Sequence, residues 1–93
     1  MNANEAIAEI KSLGFKTWDR GGGCTALGLT LSENRELIVT DGEDGGGEPT
    51  ETSTAFMVGL FDPESGDEIE CETREFEDAI ARVRELIFKL NRQ

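Results

Sequence analysis

Carboxylates are the reactive groups this sequence carries in quantity. Twenty Asp and Glu face nine Lys and Arg, there is no histidine, and the formal charge is −11. Paired carboxylates can do acid–base work, as in glycoside hydrolysis, but the pair needs a cleft that separates the two pKa values. Here the acids fall at positions that periodicity assigns to exposed faces, and no tyrosine is present to line a groove. The lack of histidine removes the commonest general base and the commonest metal ligand. It also removes any Ser–His–Asp triad or Cys–His nucleophile within the chain. The expectation is a non-enzyme, with no catalytic residue and no cofactor.

Two further constellations invite chemistry and do not complete it. The loop acids Asp41, Glu43, Asp44 and Glu48 are close enough in sequence to suggest a hard-cation site. Counted from Asp41, however, position five is Gly45 and position twelve is Thr52, so the bidentate acid of a calcium loop is missing. These four form a secondary acidic loop, and a solvated, mobile segment is the simpler reading. Gly21-Gly22-Gly23 lacks a following Lys-Ser/Thr and precedes a strand pattern rather than a helix, so it is no phosphate loop. Cys24 and Cys71 can form one bridge at most and stand in no CxxC pair, which disfavours zinc. Free, buried thiols suit a cytosolic chain.

What remains is charge segregation. Sixteen of the twenty carboxylates and two of the nine cations fall between residues 33 and 78, leaving that stretch at −14 and the remainder at +3. Within it, Glu64, Asp67, Glu68, Glu70, Glu72, Glu75, Glu77 and Asp78 are expected on a turn, one strand face and a helix start. Alternate residues of a strand are roughly 6.6–7 Å apart, whereas duplex DNA carries a charge about every 3.4 Å along each strand. Glu68, Glu70 and Glu72 alone are too sparse to imitate a phosphate backbone, but the flanking acids raise the density. These eight are the candidate partner-binding residues, and a basic protein surface is the candidate partner. Direct contact with nucleic acid is opposed by the charge.

The elements that must position them are readable from hydrophobic period. A helix is expected over residues 4–13, with Ala3, Ala6, Ile7 and Ile10 on one face, Asn2 or Asn4 as N-cap and Gly14 ending it. A short strand at 15–18 and a glycine turn come next. Strands follow at 24–31 and 36–40, reversing at 32–35 with Asn34 in the left-handed position. After a loop of about a dozen residues come strands at 54–61 and 68–72, joined by Asp62-Pro63-Glu64-Ser65-Gly66-Asp67. In the last strand Ile69 and Cys71 are expected inward. A final helix should run from an N-cap at Thr73 to Asn91, with Asp78–Arg82 and Glu85–Lys89 pairs on its surface.

The fold expected is α+β, one domain over 1–93. It is a two-layer sandwich in the order α-β-β-β-β-α: an antiparallel four-stranded meander, five with the strand at Phe15, and a long C-terminal helix. The helices should cover Leu27, Leu29, Leu37, Val39, Phe56, Val58 and Leu60. The other face carries Ala26, Gly28, Met57 and Gly59 and is thinly covered. No apolar stretch approaches a membrane span and no positive leader opens the chain, so a cytoplasmic location without membrane contact is expected.

The stretch Trp18-Asp19-Arg20-Gly21-Gly22-Gly23-Cys24-Thr25-Ala26, followed by an alternating strand pair and a closing amphipathic helix, resembles small proteins encoded by phages and prophages. Size, acidity and absence of catalytic groups are similar to phage-borne inhibitors of host defence, the anti-CRISPR and DNA-mimic types. The resemblance implies a stoichiometric inhibitor that occupies a nucleic-acid-binding surface on its target. It carries over no functional residue. The alternative is a structural or assembly module, in which the apolar sheet face forms a homodimer or packs in a larger complex.

Overall fold

Asn2 begins the first helix through a reciprocal cap. In the computed structural model, which describes residues 1–32, 35–42 and 47–90, the Glu5 amide donates to Asn2 Oδ1 at 2.8 Å and the Asn2 amide to Glu5 Oε1 at 2.9 Å. Two of the helix's orphan amide groups are thereby satisfied. The helix, α1, covers Ala3–Ser12. It ends where Gly14, at φ 109°, donates to the Lys11 carbonyl at 3.0 Å, and this turn delivers Phe15 into the core beside Ile10.

Five strands follow: β1 (Lys16–Gly21), β2 (Cys24–Ser32), β3 (Arg35–Asp41), β4 (Phe56–Phe61) and β5 (Glu68–Arg74). They form one antiparallel sheet in sequence order, and helix α2 (Phe76–Leu90) closes the chain. The expected α+β fold is observed, with the strand at Phe15 as a full member of the sheet. Gly22 and Gly23 turn between β1 and β2 with φ of 63° and 81°. Positive φ at both central residues is what a two-residue hairpin of right-handed twist demands, and glycine adopts it without strain. The reversal expected at 32–35 with Asn34 lies outside the described residues at its tip, but Ser32 pairs with Arg35 on either side of it.

Both helices lie on one face of the sheet. Leu27, Leu37, Val39, Phe56, Val58 and Leu60 supply the sheet side of the core; Ala6, Ile10, Ala79, Ile80, Val83 and Leu86 supply the helix side. Leu29, Leu31, Phe76, Ile87 and Leu90 pack at its margin. This is the covering arrangement that the alternation in the strands requires.

Three expectations are corrected. Thr73 is no helix cap: β5 continues through it, pairing Thr73 with Met57 and Arg74 with Phe56. The ladder holds this backbone extended, so α2 starts only where the Ala79 amide bonds back to the Glu75 carbonyl at 2.8 Å. The described part of the long loop is tied down at its ends and only partly solvated, with Thr50, Glu51, Thr52 and Thr54 exposed. Asp41 N–H donates to the Gly47 carbonyl and Gly42 N–H to that of Ala55, each at 2.9 Å, while Pro49 and Ser53 are buried. Glu43, Asp44 and Gly45 lie outside the described residues, as does Asn91. The cysteines are both free, but Cys24 is exposed and Cys71 half-buried, because β2 begins at the sheet's end and β5 at its edge.

Candidate protein-binding face

The face of the sheet that no helix covers is built on alternating residues whose neighbours across the ladder are known. Ile38 of β3 stands between Gly28 of β2 and Gly59 of β4. Neither glycine has a side chain to shield it, and each is roofed by an aromatic ring. A Cβ on Gly28 would stand 2.1 Å from the Trp18 ring, and one on Gly59 would stand 2.5 Å from the Phe61 ring. The two rings form the walls of a groove of about 310 Å³ floored by Ile38, with Asp19, Glu36 and Asp62 along it. Met57, Thr40, Glu68 and Cys71 continue the face towards β5, around a second cavity of about 250 Å³.

Register also decides where the candidate acids go. Glu70 pairs with Leu60 and Glu72 with Val58, so both project on the helix-covered side. A register shift between Leu60 and Phe61 makes Ile69 the extra residue and pairs Glu68 with Phe61, on the open side. The expected row of three glutamates on one strand face is therefore not present. Ile69 and Cys71 do not point into the core; Cys71 lines the open face and Ile69 is exposed.

Glu70 and Glu72 meet arginines instead. Arg82 of α2, with 19% of its side chain exposed, forms ion pairs with Glu70, Glu72 and Glu85, the Glu72 contact through Nε at 3.1 Å. Arg74 Nη2 donates to Glu72 at 2.8 Å. Partial burial works against the charge on Arg82, but Glu70, Glu85 and Glu72 outweigh it and raise its pKa. The expected Asp78–Arg82 pair gives way to this cluster, which ties the edge strand to the helix. Charge on an edge strand also keeps sheets from pairing edge to edge, so part of the acidity of β5 serves the fold itself.

The remaining candidates are exposed. Glu64 and Asp67 lie on the β4–β5 turn, which is held by Gly66 N–H to the Asp62 carbonyl at 2.8 Å and Glu64 N–H to Asp62 Oδ1 at 2.9 Å. Glu75, Glu77 and Asp78 surround the start of α2, where Glu77 comes within 4.0 Å of the terminal amine. Among the described residues, Glu64, Asp67, Glu75 and Asp78 have no ion-pair partner. Of the loop acids, Asp41 and Glu48 are half-buried, and Glu43 and Asp44 lie outside the described residues. No group of three metal-ligating side chains occurs among the described residues. Sequence reading missed Asp19, Glu36 and Asp62; the signal was there, since each stands one or two places from a large apolar residue of the open face.

The Arg74 hydrogen bond holds the Glu72 carboxyl below the usual glutamate range, helped by the Arg74 and Arg82 charges and opposed by partial desolvation. A carboxylate with a lowered folded-state pKa stabilises fully above its unfolded value and loses that effect as pH falls through the folded one. Glu72→Gln should therefore melt below wild type at neutral pH, and the gap should close below about pH 4.3, the ordinary glutamate value. Paired thermal melts across this range check it; a gap that does not change with pH refutes it.

The fold and its site define a class: a two-layer α+β protein with an open sheet face that is apolar at its centre and acidic at its rim. No protein-family model, curated protein or solved structure matches the chain. Among the described residues no helix is long and apolar enough to cross a membrane.

Proposed function

We propose that this chain is a non-enzymatic binding protein that docks on a basic, nucleic-acid-binding surface of a partner protein, in the manner of acidic phage-borne inhibitors. The observation that carries this reading is the open face itself. Trp18, Met57 and Phe61, each half-buried, lie on it around the buried Ile38, with Asp19, Glu36, Asp62 and Glu68 about them. Large aromatic residues within a polar rim are what protein interfaces are built from. The charge selects the partner: a second copy would set acidic rim against acidic rim, which costs association energy, whereas a cationic surface is attracted. Glu64 and Asp67 extend the rim at one end of β5, and Glu75, Glu77 and Asp78 add attraction at the other. Glu70 and Glu72, already shared with Arg74 and Arg82, contribute field rather than contacts.

Capture from the natural host tests the reading. Partners should be basic and held at about 0.1 M salt, where charges act over about 10 Å, and released at about 1 M, where the range is about 3 Å. Trp18→Ala and the double change Glu36→Lys with Asp62→Lys should each abolish capture; Glu64→Lys with Asp67→Lys should slow association. Capture of neutral or acidic partners alone, indifferent to salt, overturns the reading. A dimer in sedimentation that Trp18→Ala dissociates would give the face to a second copy.

A further inference from the structure

The groove between the rings of Trp18 and Phe61 differs from an ordinary acidic surface in where its carboxylates stand. Asp19 lies beside the β1–β2 hairpin, at one end of the sheet. Glu36 and Asp62 lie at the other end, since Glu36 pairs with Phe61 at the close of β4 and Asp62 opens the turn that follows. Between the two ends the lining is apolar: the two rings and Ile38, which is 8% exposed. Among the described residues no Lys or Arg lines the groove. Each ring occupies the space that a glycine leaves, Trp18 over Gly28 and Phe61 over Gly59, so the walls are set before any ligand arrives. Two of the acids are held as well. Asp19 Oδ1 accepts from the Gly21 amide at 2.8 Å and Asp62 Oδ1 from the Glu64 amide at 2.9 Å. An ionised carboxylate engaged in this way keeps its second oxygen for a ligand.

We infer that this groove binds a linear aliphatic polyamine, a ligand distinct from the protein partner proposed above. One terminal ammonium meets Asp19, the other meets Glu36 and Asp62, and the methylene chain between them lies on Ile38 and the two rings. Aliphatic amines keep their protons at neutral pH, as lysine does with a pKa of about 10.4. A triamine matches the three carboxylates in charge, and its internal ammonium is attracted to the Trp18 ring. The volume, about 310 Å³, falls at the lower end of the roughly 300–1,000 Å³ of small-ligand sites, which suits an unbranched chain. A lone lysine side chain reaches the carboxylates of one end only. Mg²⁺ needs a near-ideal octahedron of oxygens, which carboxylates at opposite ends of an apolar groove do not supply.

The test is calorimetric titration of the full chain with spermidine at about 0.15 M salt, where exposed charges act over about 8 Å. Trp18 is the one tryptophan, so its emission should follow the same curve. One site should saturate. Butylamine, which can engage one end only, should bind about tenfold or more weakly, and Mg²⁺ at equal charge should not displace spermidine. Asp19→Asn, Asp62→Asn and Glu36→Gln should each weaken spermidine about 3–10-fold, and Trp18→Ala about tenfold. Asparagine keeps the oxygen that accepts the turn amide, so the first two variants should melt as wild type does and their loss reports the ligand rather than the fold. Glu51→Gln removes the same charge from the exposed β3–β4 loop and should leave binding unchanged. Butylamine as tight as spermidine gives the groove to a single ammonium, such as a partner's lysine, and overturns the inference. Equal weakening by Glu51→Gln, or displacement by Mg²⁺, also overturns it, because the ligand is then reading only the overall charge of −11. Salt-sensitive capture of a basic protein without any polyamine site removes this inference and leaves the binding reading standing; a polyamine site without a basic partner does the reverse.

Discussion

Replacing Phe56 by alanine should destabilise the protein by about 3–5 kcal/mol, the range for buried Phe→Ala changes. Phe56 has no exposed surface and is the largest of the fully buried side chains. It sits on β4 between Asp41 and Arg74, and its ring centroid is 4.8 Å from that of Phe76, with the planes tilted by 46°. Tilted aromatic pairs contribute about 0.5–1.5 kcal/mol beyond area burial. Phe76 opens α2, so this contact fixes where the helix leaves β5. Small domains have only about 5–15 kcal/mol of net stability, so the variant gives up a large fraction of it. At roughly 4–8 °C per kcal/mol, the melting temperature should fall by tens of degrees. Urea unfolding with an unchanged slope would assign the loss to stability rather than to the unfolded state. Ile69→Ala, at an exposed irregularity of the edge strand, should cost less than about 1 kcal/mol. Equal melting of the two variants would place Phe56 outside the core.

Why the helices and most strands were legible, and the candidate site only partly, follows from particular residues. Asn2 with Glu5, Gly14, and the stripe of Ala79, Ile80, Val83 and Leu86 are local signals that no tertiary contact contradicts. The alternation Leu27–Leu29, Leu37–Val39 and Phe56–Val58–Leu60 marks one face, and that face is the covered one. In β5 the same rule misleads. It assumes that apolar means covered, but this sheet is apolar on both faces, so Ile69 and Cys71 could belong to either. Pairing with β4 decides it, and pairing depends on an irregularity at Ile69 that no turn residue announces. The acids then part company: Glu70 and Glu72 go to Arg82, a residue twelve positions away from the first of them, and Glu68 goes to the open face. Thr73 has the chemistry of a helix cap, yet its place opposite Met57 keeps it in a strand. Thr40 reads as an ordinary strand threonine, and its near-complete burial is seen only in the fold.

Gly28→Val should strip the open face of its tryptophan while leaving the sheet intact. A Cβ at this position would stand 2.1 Å from Trp18 Cε3 and 2.2 Å from Cδ2, far inside contact distance. The β2 backbone is held on both sides, pairing with Lys16 and with Ile38, whereas Trp18 is a half-buried side chain on an edge strand. The ring therefore moves and the backbone stays. Cross-strand packing of an aromatic on a glycine is lost, Ile38 becomes exposed, and forced repacking of this kind costs typically about 1–3 kcal/mol. Because Trp18 is the one tryptophan and the chain has no tyrosine, its emission reports the event without interference and should shift to the red as the ring enters water. Gly47→Ala, where a Cβ meets nothing within 4 Å, should change neither emission nor melting temperature by comparison. The same substitution bears on binding. It removes one wall of the Trp18–Phe61 groove but touches none of the acids, so a partner held by long-range charge alone would still associate at low salt. A partner that needs the apolar centre would not, and loss of capture by folded Gly28→Val would locate the contact on the open face rather than on the acidic edge.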